Sequence, residues 1–228
     1  MTEENIQENN EINEELPKFD VKKVLTNDNF SMILYGLSRS GKSTFLMYLL
    51  NQIWKRYDII LFITHSENAS VYKDLHKIKN IVVLNNYHDD VIKMMYELNK
   101  RFKNSLHILF VFDDYDYVRG SNYIKSLYTR GRNSNMSIIN SVQSYAMIDK
   151  RNRENVNYAA IFRSNNSEYI EQMAPFLHGL IPYDKKIYNT RWKRDEYYKN
   201  YMNKHCQDYN FIVIDYLKNK AYKFKTPI

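Results

Sequence analysis

Phosphate chemistry is the first possibility this chain raises, in the stretch 36-GLSRSGKST-44, where Gly36, Gly41, Lys42 and Ser43 fit the pattern G-x-x-x-x-G-K-[ST]. Glycines permit a tight turn that aims successive backbone N–H groups at phosphate oxygens. The run Gly36, Leu37, Ser38, Arg39, Ser40, Gly41, Lys42, Ser43 and Thr44 is therefore expected to cradle the phosphates of ATP. Lys42 would reach the β- and γ-phosphates, and the Ser43 hydroxyl would ligate Mg²⁺. A second stretch, 108-ILFVFDD-114, is an apolar run ending in two aspartates. Asp113 is expected to hold Mg²⁺ through water, because this ion sheds its hydration reluctantly. Asp114 would polarise the attacking water.

Two further features extend this chemistry. Gln143 follows the apolar run 136-MSIINSV-142. An amide there could touch both a γ-phosphate and the water beside it. Arg130 and Arg132 stand just before the same run. Either could act as an arginine finger, a cation supplied to a neighbouring subunit's γ-phosphate as charge develops. Guanidinium suits that task because it stays charged and binds oxygens in a planar fork.

Such residues need a scaffold that brings strand tips together. Short apolar runs fall at 32–35, 59–63, 81–84, 107–112, 136–142 and 158–162. Helical patterns lie between them, at about 43–56, 68–78, 88–103, 120–130 and 167–178. Continuous apolar strands alternating with helices predict an α/β fold, a mainly parallel sheet covered on both faces. In that fold ligands sit at the carboxyl ends of the strands, where Asp113, Asp114 and Gln143 fall. The cradle also lies where it should, between the strand 32-MILY-35 and the amphipathic segment STFLMYLLNQIW. After residue 188 the chain changes character. Residues 189–206 are basic and aromatic and read as a helix, and 211-FIVIDY-216 with 221-AYKFK-225 reads as a β-hairpin. The expected division is thus a disordered acidic tail at 1–17, a core at 18–188, and a basic helix and hairpin at 189–228 appended to the same domain.

Composition narrows the partners. The 228 residues suit one domain with a sizeable core. No apolar run approaches the roughly 20 residues that span a bilayer, and the polar, acidic N-terminus reads as neither a signal nor a transit peptide. The lone Cys206 excludes an intrachain disulfide. Residues 1–17 hold six Glu and no Lys or Arg, so the rest carries 33 basic and 20 acidic residues, a balance of +13. A body this basic points to a polyanionic partner, nucleic acid first.

The ordered set, G-x-x-x-x-G-K-S, then an apolar run ending in two aspartates, then 130-RGRNSNMSIINSVQSY-145, resembles the genome-packaging ATPases of poxviruses, other large DNA viruses and virophages. Those proteins form part of the FtsK–HerA group of P-loop ATPases. The segment 127–148 is the specific part, and the likeness runs from about residue 29 to about 165. The resemblance implies a RecA-like P-loop fold with core strand order 5-1-4-3-2. It implies a sensor role for Gln143 and a finger eleven residues earlier, at Arg132. Asn133 departs from the His that viral members often carry, so Arg130 stays a candidate. It also implies ATP hydrolysis that moves double-stranded DNA into a capsid, a homo-oligomeric ring of five or six, contacts with capsid or portal components, and a place in the host cytoplasm or the virion. A chain this short is not expected to add the nuclease of tailed-phage terminases. The alternatives are a non-packaging translocase or helicase, and a nucleotide kinase. A kinase would leave Asp113–Asp114 and Gln143 unexplained.

Overall fold

The structure is a computed structural model that describes residues 15–66, 68–114, 121–164, 166–178, 180–207 and 209–227. The acidic segment 1–14 lies outside them. In chain order the elements are α1 (Val21–Val24), β1 (Ser31–Tyr35), α2 (Lys42–Ile53), β2 (Ile59–Thr64), β3 (Ile81–Leu84), α3 (Asp89–Arg101), β4 (Ile108–Asp113), α4 (Asn122–Arg130), β5 (Met136–Val142), α5 (Lys150–Glu154), β6 (Tyr158–Ile161), α6 (Ser167–Leu177), α7 (Arg191–His205), β7 (Asn210–Asp215) and β8 (Lys220–Lys225). The strands form one sheet in the order β3-β2-β4-β5-β1-β6-β7-β8. β1 to β6 run parallel, and β7 and β8 pair antiparallel at one end. This is the α/β, P-loop type of fold expected. The five-strand order is present, with β3 as one more strand at the edge beyond β2.

The continuous apolar strands follow from burial on both faces. Met32, Leu34, Ile60, Phe62, Leu109 and Val111 point into a core shared with Phe45, Leu46, Leu49, Leu50 and Ile53 of α2. Their neighbours Ile33, Tyr35, Leu61, Ile63, Phe110 and Phe112 point the other way, into a core closed by α3, α4, α6 and α7. Each strand thus alternates between two buried faces rather than between core and water.

Two expectations need correcting. The segment 68–78 is not an α-helix but two 3₁₀ turns, Ser70–Tyr72 and Leu75–Lys77. The residues it buries are Tyr72, Leu75 and Ile78, spaced by three, which suits the three residues per turn of a 3₁₀ helix better than the 3.6 of an α-helix. The C-terminal hairpin is more than an attachment. β7 pairs with β6 from Tyr158↔Asp215 to Ile161↔Ile212, so it continues the central sheet. Lys223 also donates to the Pro17 carbonyl at 2.9 Å and tethers the described start of the chain. Among the described residues, no helix is long and apolar enough to cross a membrane.

Candidate active site

Three adjacent strands end together. Tyr35 of β1 stands beside Val142 of β5, and Ser141 of β5 stands beside Asp113 of β4. The chain then turns through the cradle into α2. Gly41 has φ +97°, a left-handed conformation that side chains resist, so glycine is required there. Its carbonyl accepts from Phe45 N at 3.0 Å and starts α2, whose free N–H groups could receive an anion. Gly36 N donates to Val142 O at 3.2 Å and fixes the cradle against β5.

Lys42 is buried, 4% exposed. Its ammonium donates to the Gly36 carbonyl at 2.7 Å and the Leu37 carbonyl at 3.2 Å, and lies 3.6 Å from an Asp114 carboxylate oxygen. Burial lowers its pKa, and the nearby Asp114 and Asp113 oppose that shift. Asp114 itself has φ +47°, a left-handed turn that Asp tolerates better than most residues, and its N–H donates to Ser141 O at 3.0 Å. The sharp turn after β4 therefore brings this second acid beside the Lys42 ammonium.

Asp113 lies deeper, 2% exposed. Burial raises its carboxyl pKa and the neighbouring Asp114 adds to the rise, while hydrogen bonding from Tyr72, the Ser141 hydroxyl and the Lys42 charge oppose it. Tyr72 donates its hydroxyl to Asp113 Oδ2 and lies within reach of the Ser43 hydroxyl. Asp113 Oδ1 is buried and has no hydrogen-bond partner. A buried carboxylate oxygen without a partner, on a residue whose neighbour Tyr72 also reaches the Ser43 hydroxyl, fits a hard divalent cation that keeps most of its waters.

A trough of about 500 Å³ opens over the cradle. Ser38, Arg39, Ser40, Gly41, Lys42, Ser43, Thr44 and Asp114 line it, together with Val71, Phe162, Tyr209, Phe211 and Thr226. Leu37 packs partly into the core and lines an adjoining cavity. Gln143 is half-buried, one residue past β5. Its neighbour Val142 bonds Gly36 of the cradle, but Gln143 itself does not line the trough.

The two arginines do not join this site. Arg130 ends α4 and Arg132 lies in the following turn, at the amino end of β5, and both are exposed. Arg132 lines a different cavity, about 610 Å³, with Asp28, Glu154 and Asn157. Six steps of β5 at about 3.3 Å each separate that edge from the cradle by roughly 20 Å. Sequence reasoning missed Tyr72, Tyr209 and Phe211 altogether. They reach the site from a 3₁₀ turn and from the C-terminal hairpin, and no local pattern marks them.

Comparison with known proteins agrees with this architecture. A family model described as Poxvirus A32 protein matches residues 17–178. Comparison with curated proteins returned no match. Among solved structures, the chain is similar to the genome packaging NTPase B204 of Sulfolobus turreted icosahedral virus 2 in complex with sulfate. There the identity is 14% and the TM-score 0.63, over 89% of this chain and 98% of that one. The same NTPase in complex with AMPPCP matches with 14% identity and a TM-score of 0.61, over 89% of this chain and all of that one. The pCW3 conjugation coupling protein TcpA, with ATPgS, matches with 16% identity and a TM-score of 0.59, over 92% of this chain and 68% of that one. At these identities the likeness carries the fold.

Proposed function

The chain belongs to the Poxvirus A32 protein family, and on that premise we propose that it is an ATP hydrolase coupling turnover to the movement of double-stranded DNA into a capsid. The observation that carries the catalytic part is the meeting of Lys42, Asp114 and Asp113 at one strand edge, with the Lys42 ammonium 3.6 Å from Asp114. Phosphates would lie along the backbone N–H groups of residues 36–44, with α2 directing its positive end toward them. Lys42 would exchange its loop carbonyls for β- and γ-phosphate oxygens. Ser43 and the unpartnered Asp113 Oδ1 would hold Mg²⁺. Bound there, the ion neutralises charge that builds on the phosphates. Asp114 would accept the proton of the attacking water, and Gln143 would orient that water against the γ-phosphate.

Arg132 lies too far from its own cradle to take part, so its role is in trans, on a neighbouring copy in a homo-oligomeric ring of five or six, with Arg130 as the competitor. The pumping part rests on family membership, on the +13 balance of residues 18–228, and on the packaging NTPases among the similar structures. The conjugation protein shares the fold, but only 68% of its chain is matched. Capsid or portal partners, and a site of action in the host cytoplasm or the virion, follow from the same reading.

A DNA-stimulated ATPase assay tests it. Long double-stranded DNA should raise turnover well above the basal rate, and short single strands should not. DNA binding should weaken with salt, by about 0.9 in log affinity against log salt for each phosphate neutralised. Turnover indifferent to DNA of any form would reject the motor and leave a simple nucleotide hydrolase or kinase.

A further inference from the structure

Tyr209 is the feature of the site that phosphate chemistry leaves unused. It sits just before β7, is 72% exposed, and has φ +63°. A bulky side chain in the left-handed region is strained, and an exposed one without compensating contacts needs a reason from outside the fold. Its ring and hydroxyl make no hydrogen bond or ring contact among the described residues. It nevertheless lines both the trough over the cradle and the adjoining cavity of about 450 Å³, and Arg39 lines both with it.

Sheet order says what would arrive there. Asp114 follows β4 and Tyr209 precedes β7, and these strands stand on opposite sides of β1. A nucleotide whose γ-phosphate faces Asp114 therefore extends its other end toward the hairpin. The trough is apolar at that end. Phe162 and Phe211 line it and stack on each other, centroids 4.2 Å apart and planes 22° apart. Arg163 borders the adjoining cavity.

We infer that the C-terminal hairpin builds a seat for the purine base of the nucleotide, with the Tyr209 ring as its stacking platform. The inference rests on the cradle holding the phosphates. Base–aromatic stacking tolerates any base, because each has a π-face. The guanidinium groups of Arg39 and Arg163 carry donors only, and both adenine and guanine offer them ring-nitrogen acceptors. The seat thus holds purines by stacking and does not separate ATP from GTP.

The experiment is equilibrium binding of ATP, GTP and inorganic tripolyphosphate to the full chain. Tyr209→Ala should weaken ATP and GTP roughly five- to hundred-fold, the range that stacking supplies, and leave tripolyphosphate affinity unchanged. Tyr209→Phe keeps the ring and should bind all three as the natural chain does. Equal loss of ATP and tripolyphosphate in Tyr209→Ala would show that the residue only shapes the loop, and would overturn the seat. So would an unchanged ratio between the two ligands. A strong preference of the natural chain for one purine would overturn its stacking-dominated form. Lys42→Ala separates this from the reading beneath it. Loss of tripolyphosphate binding there places the phosphates in the cradle, and persistence would overturn the cradle itself, whatever Tyr209 does.

Discussion

The two edges of the central sheet handle charge in opposite ways. At the carboxyl edge Lys42 and Asp113 are nearly inaccessible, 4% and 2% exposed, and each has close partners. At the amino edge Arg130 and Arg132 are exposed, and neither makes an ion pair among the described residues. The contrast follows from solvation. A buried charge must be compensated locally, whereas an exposed guanidinium stays hydrated and available. One copy of the chain therefore holds a locally compensated cluster at the carboxyl edge, the phosphate site on the proposed account, and, roughly 20 Å away along β5, two exposed arginines that make no ion pair among the described residues. On the proposed account those cations serve the next copy.

The contrast can be broken from either side. The largest expected effect is at the carboxyl edge. Asp114→Asn keeps the turn and the cradle but removes the proposed base, so turnover should fall about 10²- to 10⁴-fold while ATP still binds. Turnover near the natural rate would put the base elsewhere. Tyr72→Phe should act more mildly. It keeps the buried ring and leaves Asp113 Oδ2 without its donor, and the Mg²⁺ needed for half-maximal turnover should rise roughly 10-fold. The Tyr72 hydrogen bond opposes the burial that raises the Asp113 pKa, so its loss raises that pKa further. The acid limb of the activity profile should then shift to higher pH, and an unmoved limb would show that Tyr72 does not act on Asp113. The smallest effect on nucleotide binding is expected at the amino edge. A Cβ on Gly131 would meet the Met136 carbonyl at 2.8 Å. Gly131→Ala should destabilise the fold by about 1–3 kcal/mol on chemical denaturation, with ATP affinity intact. Loss of ATP affinity would mean the edges are not independent.

Much of this was legible in the sequence because it is local. The cradle is contiguous, and its glycines and lysine have few other uses together. The apolar run ending in Asp113–Asp114 marks a buried strand tip by itself. Parallel order followed from continuous apolar strands, because Ile33 and Leu34 both needed cover. What escaped was tertiary. Tyr72 looked like part of a helix, since a spacing of three and one of 3.6 are hard to tell apart over ten residues. The hairpin was readable as a hairpin, but its pairing with β6 depends on which edge of the sheet lies open. Tyr209, 173 residues after Gly36 in the chain, comes to the cradle only through that pairing.

The central claim is that the amino edge of one copy completes the carboxyl edge of another, and mixing two dead variants tests it most directly. Arg132→Ala has an intact cradle and should lose about 10³-fold or more in turnover while still binding ATP. Lys42→Ala has an intact finger and a dead cradle. Co-assembled, the two should recover a fraction of the natural ATPase rate at interfaces where a working cradle meets Arg132, with Arg130→Ala run in parallel as the competing finger. Mixed assemblies that form but hydrolyse no faster than the sum of the two variants alone would contradict it.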